Sequence, residues 1–386
     1  MLKTPYSIKG VKLSMPPISV LIKPASSHCN LRCKYCFYHS LAEGRETGSY
    51  GIMKEDTTET IVSKVLDFAD HYCTFAFQGG EPTLAGIDFF RKLVDMQKKH
   101  NKKNIQISNA IQTNGVVINE EWAKFLSENK FLVGISLDGP GDIHDANRFD
   151  VTGKGSFNKV MNGIGLLDKY KVEYNILCVV NSYTSRRINK IYSFFKKHNF
   201  RYLQFIPCLD PLDETPGAND FSLTPKRYTY FLKTLFDLWY EDVVQGNMIS
   251  IRYFDNLLGM LMGQMPEACG MSGQCSSQFV IEADGGVYPC DFYAIDEWYL
   301  GNIKETGFGE LKSSDRALKF EEDSLHVDPE CHACRWADIC RGGCRRSREP
   351  FIDGKPGINY YCDSYKEFFD YSYKRLQQLA SMLMNR

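Results

Sequence analysis

Three cysteines in the string CNLRCKYC, Cys29, Cys33 and Cys36, mark the first place where chemistry could occur. They follow an apolar, β-rich run, Ile18–Lys23, so the C-x3-C-x2-C spacing falls in a loop at the C-terminal end of a predicted strand. Parallel α/β folds build their sites at that end. Three thiolates are one short of the four that close a structural zinc site. A [4Fe–4S] cube on three cysteines keeps one iron without a protein ligand, free to take a substrate or cofactor. A zinc site completed by His28 or His39 is the competing reading.

Eight more cysteines lie close together near the C-terminus: Cys269, Cys275, Cys290, Cys331, Cys334, Cys340, Cys344 and Cys362. They fill two four-thiolate sites with none left over, as clusters or as a pair of zinc ribbons. Of the fourteen cysteines, Cys73, Cys178 and Cys208 remain, and Cys73 and Cys178 read as small buried hydrophobes. A second string, Gln78-Gly79-Gly80-Glu81-Pro82, follows another predicted strand, where paired glycines permit close backbone approach to a ligand. A plain turn is the alternative.

Elements able to position these groups alternate from about residue 18 to 210. Strands are expected at Ile18–Lys23, Thr74–Gln78, Ile105–Gln112, Leu132–Asp138, Tyr174–Val180 and Tyr202–Ile206. Helices are expected at Thr57–Tyr72, Ile87–His100, Glu120–Glu128, Asn158–Tyr170 and Ser185–His198. Such alternation favours a parallel sheet with crossover helices, and six units suit an open, partial (β/α)6 barrel. The expected division is an N-terminal extension 1–14, the barrel 15–235, a helical bridge 236–268, a loop-rich cysteine module 269–365 and a C-terminal helix 366–386. The module has little apolar core of its own, so bound metal must hold it.

With 386 residues and 43% hydrophobic content, the chain can bury a large core. A net charge of −1 disfavours bulk attraction to nucleic acid or an anionic membrane. The N-terminus has no apolar core of signal-peptide length, and no apolar run is long enough to span a bilayer. A reducing cytoplasm is the expected compartment, where clustered cysteines point to metal rather than disulfides.

The CNLRCKYC and GGEP strings resemble those of the radical SAM superfamily, and the C-terminal cysteines resemble its SPASM module. The segments MPPISVLIKPASSHCNLRCKYCFYHSL, FAFQGGEPTLAG, IQTNGV, ENKFLVGISLDGP and VYPCDFY are similar to anaerobic sulfatase-maturating enzymes. The likeness runs from Met15 to about Lys366. It implies a partial barrel with a SPASM module, three [4Fe–4S] clusters and S-adenosylmethionine (SAM). Cys29, Cys33 and Cys36 would hold the SAM-cleaving cluster. Cys269, Cys275, Cys290 and Cys344 would hold one auxiliary cluster, and Cys331, Cys334, Cys340 and Cys362 the other.

The implied activity is oxidation of a Cys or Ser in a sulfatase chain to Cα-formylglycine. An adenosyl radical takes the Cβ hydrogen, a base takes the thiol or hydroxyl proton, and an electron leaves through an auxiliary cluster. Asp291 matches the base; Tyr38 and Gln78 match substrate contacts. Tyr35, Gly80, Ser136, Arg148 and Leu209 match SAM contacts. Arg148 could offer its fork to the SAM carboxylate, or form a surface ion pair with Asp145 or Asp150. Arg341, Arg345 and Arg346 either raise the potential of a nearby cluster or form a solvated basic face.

The implied partners are an unfolded or nascent sulfatase carrying Cys/Ser-x-Ala/Pro-x-Arg, and flavodoxin or ferredoxin as electron donor. One rival is a SPASM maturase that crosslinks ribosomal peptides. Such enzymes often carry an N-terminal recognition domain, for which the 17 residues before the first strand leave no room. The other rival is a non-catalytic zinc protein, separable by anaerobic metal analysis.

Overall fold

Parallel pairing of short β-branched and aromatic runs builds the centre of the molecule. The computed structural model describes residues 18–212, 214–351 and 354–384. The expected extension 1–14 lies outside the described residues. Six strands appear as expected: β1 (Ile18–Ile22), β2 (Tyr72–Phe77), β3 (Gln106–Thr113), β4 (Leu132–Ser136), β5 (Tyr174–Val180) and β6 (Tyr202–Pro207). They pair in sequence order, all parallel. In β2 the alternate residues Cys73, Phe75 and Phe77 are buried, as the two-residue period of a strand requires.

Parallel neighbours need crossovers, and helices supply them. They span Glu55–Phe68, Ile87–His100, Glu120–Glu128, Phe157–Lys169 and Ile188–Lys197. Asn119 caps the third, its side chain accepting from the Trp122 N–H at 3.0 Å. Phe90 packs edge-on against Phe77 at 5.1 Å and Trp122 at 5.3 Å, which ties these helices to β2.

The helix expected at Thr57–Tyr72 stops at Phe68, because Ala69 turns extended and Tyr72 already pairs with Gln106 of β3. The one expected from Ser185 opens with a 3-10 turn, Ser185–Arg187, and becomes α-helical at Ile188. Helix Pro225–Val244 runs unbroken through residue 235 and packs on the final helix Cys362–Met384, with Phe236 edge-on to Phe368 at 5.7 Å. Among the described residues no helix is long and apolar enough to cross a membrane.

Four further strands are too short for sequence periodicity to find: β7 (Ser250–Ile251), β8 (Val280–Ile281), β9 (Gly286–Tyr288) and β10 (Gly301–Asn302). The sheet order is β10-β9-β8-β1-β2-β3-β4-β5-β6-β7. The cysteine module is joined to the barrel through the sheet, because its β8 lies parallel to β1, with Ile22 opposite Ile281.

That pairing puts Lys23 beside Glu282. The Lys23 Nζ lies 2.7 Å and the Arg45 Nη1 2.6 Å from the same Glu282 Oε1, with side-chain exposure of 1% or less throughout. Burial pushes the Glu282 carboxyl up, but the two cations outweigh it and hold it below its ordinary value. Removing the shared anion strands two buried cations. Glu282→Ala is expected to cost about 3–5 kcal/mol, read as a lower denaturant midpoint of the cluster-free chain.

Candidate active site and cluster-binding cysteines

The loops after β1, β2, β4 and β6 meet at one end of the sheet. Cys29, Cys33 and Cys36 line a cavity of about 170 Å³ there, together with Tyr35, Tyr38, Gln78, Gly80, Ser136, Arg148 and Leu209. All five residues expected to contact SAM thus share one wall system with the first cysteine group. The GG pair earns its place sterically. Gly79 has φ +116°, and a Cβ on Gly80 would lie 2.1 Å from the His28 carbonyl oxygen, so no side chain fits.

Glu81 fixes this loop from beneath. Fully buried, its carboxylate accepts from the Thr83 hydroxyl at 2.6 Å, the Thr113 hydroxyl at 2.6 Å and the Asn114 N–H at 2.7 Å. Those bonds join the ends of β2 and β3. Asn114 in turn aims its amide at Cys29 Sγ, 3.8 Å away, and the Leu31 N–H points at the same sulfur at 3.4 Å. Burial pushes the Cys29 thiol up to about 11 and the Cys33 thiol up to about 12. Metal ligation must therefore supply the energy of deprotonation.

Asp291 stands in the 3-10 turn Asp291–Tyr293 that follows β9. Its Oδ2 accepts from the Tyr38 hydroxyl and from Gln78 Nε2 at 3.1 Å; Gln78 also donates to Tyr38 at 2.8 Å. Its Oδ1 is buried and has no hydrogen-bond partner among the described residues. Burial raises the Asp291 carboxyl above its usual range, against the opposing pull of Lys23 and the Tyr38 bond. The three residues expected to serve base and substrate thus form one hydrogen-bonded unit. Lys23 adds to it, its ammonium 5.1 Å from the Tyr38 ring centre.

Arg148 departs from expectation. Its Nε and Nη2 donate to the buried Asp138 at 3.0 and 3.3 Å, so the fork is already engaged and no ion pair forms with Asp145 or Asp150. Only Nη1 faces the cysteines, 4.0 Å from Cys33 Sγ. Asp138 also accepts from the Tyr35 hydroxyl and the Val179 N–H, which leaves Tyr35 its ring for the cavity. Ser136 accepts from Gln112 at 3.1 Å. Asp138 was missed in the sequence although it lies within the quoted GISLDGP string.

The other eight thiols separate into two sets. Cys331, Cys334, Cys340 and Cys362 line one small cavity beside Trp336. Burial first, then Cys269 and Cys275, push the Cys344 thiol up to about 11, and Cys344 and Cys269 act in the same way on the half-buried Cys290. Among the described residues no three His, Cys, Asp or Glu groups converge as a single metal ion requires. Four thiols set around one cavity suit a [4Fe–4S] cube.

Of the basic residues beside these thiols, Arg341 is only half-buried, with its Nε donating to the Asp338 carbonyl at 3.0 Å. Arg345, Arg346 and the unexpected Arg348 are buried. Arg345 is caged by the rings of Tyr293, Trp298, Phe320 and Phe351, with its guanidinium carbon 4.4 Å from the Phe320 ring centre.

Comparison with known proteins adds independent findings. A family model described as the radical SAM superfamily matches residues 24–195, and one described as an iron–sulfur cluster-binding domain, SPASM, matches residues 269–335. A cysteine-type anaerobic sulfatase-maturating enzyme of Clostridium perfringens is 55% identical over 95% of this chain and 99% of its own. A serine-type counterpart from Bacteroides thetaiotaomicron is 34% identical over 96% of this chain and 93% of its own. A solved structure, native anSMEcpe with bound AdoMet and Kp18Cys peptide, superposes with a TM-score of 0.91 at 55% identity. It covers 95% of this chain, which covers 99% of it.

A buried histidine lies under the site. His144 Nδ1 accepts from the Asp138 N–H at 3.3 Å, so the neutral ring donates from Nε2 to Ser156 Oγ at 2.9 Å. Burial lowers its pKa from 6.5 to about 4. Between those values only the unfolded chain binds the proton. Stability is then full above pH 6.5 and falls by about 3 kcal/mol as pH drops toward 4. Urea titrations across this range are expected to show the loss, and His144→Gln to flatten it.

Proposed function

The chain belongs to the anaerobic sulfatase-maturating enzymes of the radical SAM superfamily, and we propose that it oxidises a cysteine of a sulfatase chain to Cα-formylglycine. The observation that carries this reading is the carboxylate of Asp291. One oxygen is held by Tyr38 and Gln78, and the other is buried with no partner among the described residues. Both holding residues line the cavity of Cys29, Cys33 and Cys36. The 55% identity to a cysteine-type relative, against 34% to a serine-type one, supports cysteine as the substrate.

The cofactors are three [4Fe–4S] clusters and SAM. We assign Cys29, Cys33 and Cys36 to the SAM-binding cluster, Cys269, Cys275, Cys290 and Cys344 to one auxiliary cluster, and Cys331, Cys334, Cys340 and Cys362 to the other. When bound, this set supplies a carbon radical that takes a hydrogen atom and an acceptor for one electron. The chain's own residues do the rest. Gly79 and Gly80 let SAM approach the backbone, while Tyr35, Ser136, Arg148 and Leu209 wall its pocket. Asp138 holds Arg148 so that its charge faces Cys33.

Asp291 takes the substrate thiol proton at Oδ1. Its raised pKa makes it a stronger base than an exposed carboxylate. Tyr38 and Gln78 keep that oxygen aimed by binding the other. Loss of one Cβ hydrogen atom, the thiol proton and one electron leaves the substrate as a thioaldehyde. Water then converts it to the aldehyde and releases hydrogen sulfide.

We propose an unfolded or nascent sulfatase bearing Cys-x-Ala/Pro-x-Arg as partner, and flavodoxin or ferredoxin as electron source. The cytoplasm, where thiols stay reduced, suits such a site. The proposed division of labour is the barrel 15–235, bridge 236–268, cysteine module 269–365 and terminal helix 366–386, with helix Pro225–Val244 spanning the first boundary and helix Cys362–Met384 the last.

Anaerobic incubation of reconstituted protein with dithionite, SAM and a Cys-x-Pro-x-Arg peptide tests the reading. Mass spectrometry is expected to find aldehyde in place of thiol. Unmodified peptide beside brisk 5′-deoxyadenosine production would refute it. Asp291→Asn is expected to keep SAM cleavage while aldehyde yield falls at least ~100-fold, the contribution typical of a general base.

A further inference from the structure

The wall of the cavity contributed by Leu209 is not held by the barrel alone. After β6 the chain passes Cys208, Leu209 and Asp210, and Leu209 lines the cavity while its two neighbours are buried. The carbonyl oxygens on either side of Leu209 are both gripped by the cysteine module. Tyr361 donates its hydroxyl to the Cys208 carbonyl at 3.2 Å, and Arg346 Nη2 donates to the Asp210 carbonyl. Tyr361 and Arg346 are 3% and 7% exposed, so water does not compete for either bond.

The two grips also act together. The Tyr360 N–H donates to the Ser347 carbonyl at 2.7 Å, which joins the segment carrying Tyr361 to the turn carrying Arg346. Each lies beside a different thiol set: Arg346 is two residues past Cys344, and Tyr361 immediately precedes Cys362. The Asp210 side chain closes the far side of the loop, accepting from the Gly217 N–H at 2.9 Å and from the Ser222 hydroxyl.

We propose that Arg346 and Tyr361 are positioning residues through which both auxiliary cluster sites hold Leu209 in register against SAM. The inference rests on the reading of Leu209 as part of the SAM pocket. It needs no contact between the auxiliary clusters and SAM. Ordering of two ligand-bearing segments is passed on through two hydrogen bonds to one stretch of backbone.

The test uses the full chain, reconstituted anaerobically, with Tyr361→Phe, Arg346→Gln, Arg346→Lys and the Phe/Gln double variant. Iron and sulfide per chain are measured first, then SAM affinity by equilibrium dialysis without peptide. The double variant is expected to keep its iron and bind SAM about tenfold more weakly, the effect of leaving buried carbonyls unpaired. 5′-Deoxyadenosine production at saturating SAM should stay within about twofold of wild type, since the reacting groups are untouched. Arg346→Lys, which can still donate to Asp210, should restore most of the affinity.

Unchanged SAM affinity in a fully loaded double variant would overturn the proposal. If Arg346→Gln loses iron, Tyr361→Phe decides alone, because it removes a single hydroxyl. Iron loss in Tyr361→Phe would also overturn it, by making that hydroxyl a support of the cluster site itself. Wild-type protein that binds SAM yet never modifies peptide would sink the proposed function and leave this clamp standing.

Discussion

Two rungs of a parallel ladder, Leu21 to Val280 and Ile22 to Ile281, join the first strand of the barrel to the cysteine-rich C-terminal region. Asp291 reaches Tyr38 and Gln78 because of that join, since β8 and β9 carry it across the edge of the sheet. The same join seats Lys23 against Glu282 and sets a buried positive charge near the carboxylate. The proposed base, assembled from distant parts of the chain, is thus held by main-chain bonds and by a charge cluster shielded from water. Charges in such surroundings act strongly on one another, because little solvent screens them.

Chemistry was more legible in the sequence than architecture at the join. Three cysteines after a strand, eight more in two fours, and a paired glycine behind β2 point to cluster and cofactor sites from residue type and spacing alone. The six barrel strands are legible because runs such as Ile18–Ile22 and Tyr174–Val180 exceed the length at which apolar alternation shows. β8 and β9, with two and three residues, fall below it. Their existence depends on pairing with β1, which no local pattern announces.

Buried charge was the other blind spot. Arginines after Cys344 read equally well as a solvated patch, yet Arg345 sits inside an aromatic cage. Arg148 reads as free to bind a carboxylate until Asp138, ten residues earlier, is seen to occupy its fork. In each case the partner is set by tertiary packing, and a lone cationic residue in a sequence carries no sign of whether its counter-charge is water, ligand or protein. Glu81 is the converse. It stood within a quoted motif, and the motif gives no sign that its buried carboxylate knits β2 to β3.

The sheet order also governs biosynthesis. β1 emerges from the ribosome early, and its neighbour β8 follows roughly 260 residues later, a wait of ~10–50 s at ordinary elongation rates. Throughout that interval one margin of the nascent barrel has unsatisfied amide and carbonyl groups, the condition that invites intermolecular strand addition. Cys29, Cys33 and Cys36 are present by then, but Asp291, the proposed base, is not. Synthesis order alone therefore keeps a half-made chain without the carboxylate beside Tyr38 and Gln78, and it makes a holding chaperone most useful before residue 280 has left the exit tunnel.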